Sequence, residues 1–317
     1  MTALCISCAL IATSRLAAQP STKRAVAAVI TGAAPRIDGT LDDPAWRLAT
    51  PVTDFSQQRP IEFSATSEHT QVSILYDDDA LYVGARLYRR DPSAIARPMT
   101  RRDVTGNAER LAVVLDTYLD RRTAFGFSIS ASGVKGDYYL SRDSEHEGRS
   151  SQFDPVWDGR AAIDSAGWTA EMRIPFAQLR FNAADEQVWG LMLDRLLPDK
   201  NETDRWIVIP GRETGYVSRF GTLRGIRGIQ PRRPIELVPY IAADATRRAN
   251  ADPNDPFNEP FAGRFGTDAK IGIGSNLTLD LTVNPDFGQV EADPAEVNLS
   301  AFETFFDERR PFFTEGN

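Results

Sequence analysis

At 317 residues, 42% hydrophobic and 25% charged, the chain has room for two globular domains and a sizeable core. A net charge of -8 with a pI near 5.0 argues against a nucleic-acid partner, because phosphate contacts need clustered Lys and Arg. Positive charge gathers at Arg219, Arg224, Arg227, Arg232 and Arg233, in a stretch punctuated by Gly and Pro that reads as a solvated linker or as a contact for anionic head groups beside a membrane.

Residues 1–18 read as a signal peptide for export. Ala3 to Ala12 is an apolar run too short to span a bilayer, and Leu16-Ala17-Ala18 offers a small-residue cleavage site. Both cysteines, Cys5 and Cys8, fall inside it. The mature protein then has no disulfide, thiolate nucleophile or cysteine metal ligand.

Residues 30–225 read as one all-β unit, an antiparallel β-sandwich. Val72, Ile74 and Tyr76 lead through Asp77-Asp78-Asp79 into Leu81, Val83, Ala85 and Leu87, the alternation of a hairpin. Leu111 to Leu115 and Phe125 to Ala131 are further strands. Ala161 to Ile163 and Gly167 to Ile174 form a second hairpin, turning at Asp164-Ser165, and Trp189 to Leu193 and Trp206 to Ile209 complete the set. One short helix is expected after Pro175, over Phe176 to Leu179. No internal repeat or low-complexity tract interrupts the pattern.

Past residue 226 the pattern sharpens. From Ala269 to Val283 every odd position except Ser275 is apolar, and the even positions are Lys270, Gly272, Gly274, Asn276, Thr278, Asp280 and Thr282. Ser275-Asn276 is read as a turn between two strands with one greasy face, the dyad repeat of either a membrane β-barrel or a half-buried sheet. Further on, Ser300 and Glu303 have capping-box spacing, Phe302, Phe305 and Phe306 share a helical face, and Pro311 ends the turn.

The order of motifs resembles a known family. Ile37-Asp38-Gly39-Thr40-Leu41-Asp42-Asp43-Pro44-Ala45-Trp46, then Leu75 to Val83, then Gly167 to Pro175, resembles the carbohydrate-binding module family 9-like sandwich. The Asn284 to Gly316 block is similar to the uncharacterised family in which that sandwich precedes an outer-membrane β-barrel. The resemblance implies a jelly-roll type sandwich that binds oligo- or polysaccharide, sometimes with structural calcium, in proteins of carbohydrate breakdown. For residues 226–317 it implies the N-terminal part of a barrel at the outer membrane. Only about three strands remain there, near Ile235 to Ala243, Ala269 to Gly274 and Leu277 to Val283, and a barrel needs about eight. The chain is therefore expected to be a fragment of a longer barrel protein.

A sugar ring stacks its C–H face on an aromatic side chain, so the five tryptophans matter most. Trp157, in the acid-flanked Asp154 to Asp158 loop, is the best exposed platform; Trp168 is a second candidate that more often packs a core. Trp46, Trp189 and Trp206 read as core, and Arg195 and Asn201 are possible hydrogen-bonding partners for hydroxyls. For calcium the oxygen ligands on offer are Asp77, Asp78 and Asp79 at a hairpin tip, with Asp154 and Asp158 flanking a loop. Zinc is disfavoured because His69 and His146 stand alone.

Catalysis is weighed against this. Glycoside hydrolysis needs two carboxylates about 5 to about 10 Å apart, and Glu109, Asp116 and Glu171 are available. With 44 acidic residues such pairs arise by chance, and Glu171 alternates with Thr169 and Arg173 on what reads as a solvated sheet face. No nucleophile elbow, phosphate loop or metalloprotease helix is present. Non-catalytic carbohydrate binding at the cell envelope is the leading reading; a periplasmic plug or docking domain of a transport barrel and a glycosidase are the rivals.

Overall fold

The computed structural model describes residues 22–104, 106–151, 153–231, 235–245, 261–273 and 277–284. The signal-peptide segment and the block beyond Asn284, including the Ser300 capping box, lie outside the described residues.

In chain order the strands are β1 (Arg24–Val26), β2 (Ala28–Val29), β3 (Ser56–Arg59), β4 (Thr70–Tyr76), β5 (Ala80–Tyr88), β6 (Arg110–Asp116), β7 (Ala124–Ser130), β8 (Lys135–Leu140) and β9 (Arg149–Ser150). They continue as β10 (Asp158–Asp164), β11 (Gly167–Pro175), β12 (Glu186–Leu197), β13 (Glu202–Arg205), β14 (Gly221–Arg227), β15 (Ile235–Ala245), β16 (Phe261–Ile273) and β17 (Leu277–Val283). Among the described residues the helical elements are short 3-10 turns, such as Pro44–Leu48 and Phe176–Gln178, the latter at the place of the expected short helix.

Two sheets form the sandwich. A nine-stranded sheet runs β1-β14-β12-β6-β7-β8-β9 with β13 and β3 branching from β12, and a five-stranded sheet runs β10-β11-β5-β4-β2. Period-two alternation selects the facing residues. Leu111, Val113 and Leu115 of β6, Phe127 and Ile129 of β7, and Leu191 and Leu193 of β12 lie in one buried cluster with Val83, Ala85 and Leu87 of β5 and with Trp168, Ala170, Met172 and Ile174 of β11. Each fully buried large side chain contributes about 1.5–3 kcal/mol.

Three sequence expectations change. Trp206 to Ile209 is not a strand: β13 ends at Arg205, and Trp206 turns its indole N–H to Asp54 Oδ1 at 2.8 Å. The arginine-rich stretch is not a linker either. Arg224 and Arg227 lie on β14, whose Leu223 and Ile226 are buried in the core, and Arg219 pairs with Glu213. Arg232 and Arg233 lie outside the described residues. Glu171 does project from the face opposite Met172 and Ile174, but that face is covered. The segment from Asp38 through the Pro44–Leu48 turn folds over it, and Trp46 lies so close to Gly84 that a Cβ there would sit 2.7 Å from the indole. Trp46 gives its N–H to Glu171 Oε1 at 2.9 Å, and the Asp38 and Gly39 amides bond Oε2 at 3.0 and 2.8 Å.

The C-terminal strands form a separate antiparallel sheet, β15-β16-β17. Its strands are longer than expected, β16 starting at Phe261 rather than Ala269 and β15 reaching Ala245. The register Ile241↔Phe265 and Ala269↔Leu281 pairs odd residues with odd ones, so the odd-numbered apolar positions of all three strands share one face, while Val238, opposite Asp268, lies on the other. Ile235, Leu237, Ile241, Phe265, Leu279, Leu281 and Val283 are exposed on it. The other face carries Tyr240, Arg264, Asp268 and Thr282, with Tyr240 packed on its cross-strand partner Gly266.

Candidate functional site

The alternation that buries Leu111, Val113 and Leu193 turns Arg110, Ala112 and Asp194 to the outer face of the nine-stranded sheet. There a cleft of about 720 Å³ opens, floored by β6, β7, β8 and β12 and walled by β3 and the segments 143–149 and 209–216.

The floor is held by a polar network. Arg205 of β13 donates to Asp194 Oδ1 at 2.8 Å and to Glu145 Oε1 at 2.5 Å, and the Tyr216 hydroxyl donates to Asp194 Oδ2 at 3.1 Å. Burial raises the Asp194 carboxyl above its ordinary value against the pull of Arg205. Burial also works against the Arg205 charge, but Asp194, Tyr216 and Glu145 outweigh it and raise that pKa. One wall is tied down by Asp143, whose Oδ1 accepts the Tyr216 and Ser218 amides at 2.8 and 2.9 Å. Tyr138 of β8 packs onto Gly126 of β7, with the Arg149 guanidinium carbon 3.5 Å from its ring centroid. Burial pushes the Tyr138 hydroxyl up to about 12.

The residues singled out from sequence are not in this cleft. Trp157 is a correction: it is 2% exposed rather than a free platform, edge-on to Phe127 at 5.6 Å, with its indole N–H 3.3 Å from Asp137 Oδ2. Trp168 is fully buried and donates to Glu109 Oε1 at 2.8 Å, and Trp46, Trp189 and Trp206 are buried as well. Arg195 is a second correction. It has no exposed surface and spends its donors on Glu109, Thr70 and the His69 and Tyr88 carbonyls, so it meets no solvent-borne hydroxyl. Asn201 adopts a left-handed conformation, φ 51°, in the turn from β12 to β13.

The acids weighed for calcium are not gathered into one cluster of side chains among the described residues. Asp77 turns inward: Oδ1 accepts the Asp79 and Ala80 amides, each at 2.8 Å, and Oδ2 accepts the Tyr82 hydroxyl at 2.8 Å. Asp78 is exposed at the hairpin tip. Asp154 pairs with Arg102 at 2.9 Å, and Asp158 is exposed at the start of β10. Among the described residues no group of three or more His, Cys, Asp or Glu side chains is placed to hold a metal. The carboxylates weighed for catalysis are withdrawn from solvent. Glu109, Asp116 and Glu171 are fully buried, and burial lifts Asp116 to about 6 while it accepts the Asp120 and Arg121 amides.

Sequence reasoning missed Arg110, Tyr138, Arg149, Asp194 and Arg205. The period-two pattern of β6 and β12 does mark Arg110 and Asp194 as facing away from the core. Nothing local shows that segments 143–149 and 209–216 rise around that face and not around the other one.

A family model described as carbohydrate family 9 binding domain-like matches residues 37–222, and a domain of unknown function, DUF5916, matches residues 231–317. Among solved structures the chain is similar to a carbohydrate binding module family 9 from Caldicellulosiruptor kristjanssonii in complex with cellotriose, at 18% identity and TM-score 0.46, over 67% of this chain and 100% of that one. The module from that organism in complex with glucose gives 18% and 0.46 over 66% and 97%. A candidate carbohydrate-binding protein from Bacteroides uniformis ATCC 8492 gives 12% and 0.50 over 65% and 100%, a likeness of fold. No curated protein matches the chain.

Proposed function

The chain belongs to the carbohydrate family 9 binding domain-like family, and from that premise we propose that it is a non-catalytic carbohydrate-binding protein that takes an oligo- or polysaccharide in the cleft on its nine-stranded sheet. The observation that carries this reading is the Asp194–Arg205–Tyr216 network on a rigid sheet floor. Sugar hydroxyls need planar donors and acceptors held in fixed directions, and pockets of about 300–1,000 Å³ bury small ligands well. With all five tryptophans buried, recognition runs through hydrogen bonds more than through indole stacking. A calorimetric screen of the full chain against neutral and charged oligosaccharides tests it. At least one should bind and lose most of its affinity in Asp194→Asn; silence across the panel removes the reading.

The exposed apolar face of β15-β16-β17 supports a place at the membrane. Strands of 11 and 13 residues suit the hydrocarbon core, where tilted strands of about 9–11 residues suffice. Residues 1–18 act as the export signal in this reading, the three strands belong to an outer-membrane barrel, and the sandwich holds glycan at the envelope for carbohydrate catabolism. Fractionation of cells expressing the chain checks the location. A sandwich that only plugs or docks on a transport barrel would partition to the membrane and bind no saccharide; release of reducing sugar from a polysaccharide would instead mark a glycosidase.

A further inference from the structure

Three arginines face the cleft without a carboxylate of their own. Arg110, half-buried on β6, makes no hydrogen bond or ion pair through its guanidinium among the described residues. Arg149 leans on the Tyr138 ring, and Arg59 is exposed at the rim. Burial first, and then the neighbouring Arg149, pull the Arg110 pKa below its ordinary value, so a half-buried cation and an exposed one are held close at the same wall.

Carboxylates also line the cleft, and Asp194 and Glu145 act favourably on the Arg110 charge, yet none of them forms a hydrogen bond or ion pair with Arg110 or Arg149. Asp194 and Glu145 are both held by Arg205, Glu213 pairs with Arg219 at 2.8 Å, and Asp143 is engaged by backbone amides. Glu147 stays exposed. The aromatic ring on the floor is covered as well. What a sugar meets above Tyr138 is the Arg149 guanidinium, not an arene.

We infer that the saccharide taken by this cleft is acidic, a uronic-acid oligosaccharide whose carboxylate is gripped between Arg110 and Arg149. The inference rests on the saccharide reading above. A guanidinium is a planar fork matched to a carboxylate, and an anion placed between two unpaired cations relieves their repulsion as well as forming its own hydrogen bonds. A neutral sugar would leave that repulsion in place.

The test is titration calorimetry of the full chain, kept in detergent, with a galacturonate trisaccharide and with its methyl ester, which has the same rings and no charge. The acid should bind about tenfold more tightly than the ester at low salt, and the gap should narrow as salt rises. Arg110→Gln and Arg149→Gln should each bring the acid down toward the ester's affinity. Arg149 is exposed, so its variant carries the test should Arg110→Gln melt early. Equal binding of acid and ester overturns the inference and leaves saccharide binding standing, as does an equal loss for both ligands in the variants. Binding of neither ligand while another oligosaccharide of the panel binds also overturns the inference and leaves saccharide binding standing; silence across the whole panel removes the saccharide reading, and this inference with it.

Discussion

Arg195 and Glu109 meet at 2.7 Å with neither side chain exposed, inside the seam between the two sheets. Arg195 comes from β12 in the larger sheet, and its remaining donors reach Thr70 and the His69 and Tyr88 carbonyls of the smaller one. Trp168 of β11 adds its indole N–H to the same Glu109 oxygen. Removing Arg195 leaves Glu109 buried with only the Trp168 indole and the longer Arg89 contact at 3.6 Å, and breaking a buried pair in this way costs about 3–5 kcal/mol. Arg195→Leu should therefore lower unfolding stability by that amount in urea titrations, with saccharide binding retained by the molecules that remain folded. A loss below about 1 kcal/mol would mean the pair behaves as a solvated one.

The pH dependence of stability should run through Asp204. This β13 residue is fully buried, and neither carboxyl oxygen finds a donor among the described residues. Burial, followed by the neighbouring Glu202, raises its pKa from 3.8 to about 8. A carboxyl whose folded pKa exceeds its unfolded one stabilises the fold in its protonated form. The contribution is whole below the unfolded value of 3.8 and is lost as pH rises through about 8. Asp204→Asn fixes the neutral state, so its melting temperature should fall less than that of the parent between about pH 5 and about pH 9. Parallel curves would show that another group titrates.

Most of the sandwich is legible in strand alternation alone. The β4–β5 and β10–β11 hairpins, with their turns at Asp77 to Asp79 and Asp164-Ser165, are visible as apolar runs broken by turn residues. Short or polar strands such as β3 and β13 are not, because their register is imposed by a neighbouring strand and not by their own pattern. Glu171 shows where such reading stops. Alternation assigns it to the correct face, but only the long-range return of Trp46 decides whether water or protein covers that face. Trp157 fails in the same way: acid flanks make its loop look wet, while Phe127 and Asp137 close over the ring from strands twenty or more residues away in the chain.

The cleft floor depends on a glycine. Gly126 faces Tyr138 across β7 and β8, and a Cβ at position 126 would stand 2.2 Å from the ring. No rotation of a methyl group avoids that, so Gly126→Ala must push Tyr138 and the Arg149 resting on it out of the cleft. Overpacking of this kind costs about 1–3 kcal/mol, and saccharide affinity should fall together with the melting temperature. Tyr138→Phe, which keeps the ring in place, serves as the comparison and should melt close to the parent.

Calcium removal should leave the fold untouched. The Asp77 to Asp79 tip is closed by its own amides and the Tyr82 hydroxyl, and Asp154 is neutralised by Arg102, so these acids need no cation to stay in place. Scanning calorimetry with EDTA and with millimolar calcium should give superimposable melts. A calcium-dependent rise of about 2.7 kcal/mol in stability at a hundredfold excess over Kd would instead show that the fold binds the ion.

The three-stranded sheet makes the most direct test of location, because its two faces differ so sharply in polarity. Ile241 is 82% exposed near the middle of β15, on the face shared with Phe265, Leu279 and Leu281. If that face meets lipid, a charge there enters hydrocarbon: Ile241→Arg should cost about 2–4 kcal/mol and shift the chain from the membrane fraction to the soluble or aggregated one. Thr282 is on the opposite face, hydrogen-bonded to Asp268 at 2.5 Å. Thr282→Lys places its charge beside that carboxylate, on the side that a barrel turns to water, and should leave the distribution unchanged. Equal effects from the two variants would mean that neither face meets lipid, and that the greasy face is covered by protein instead.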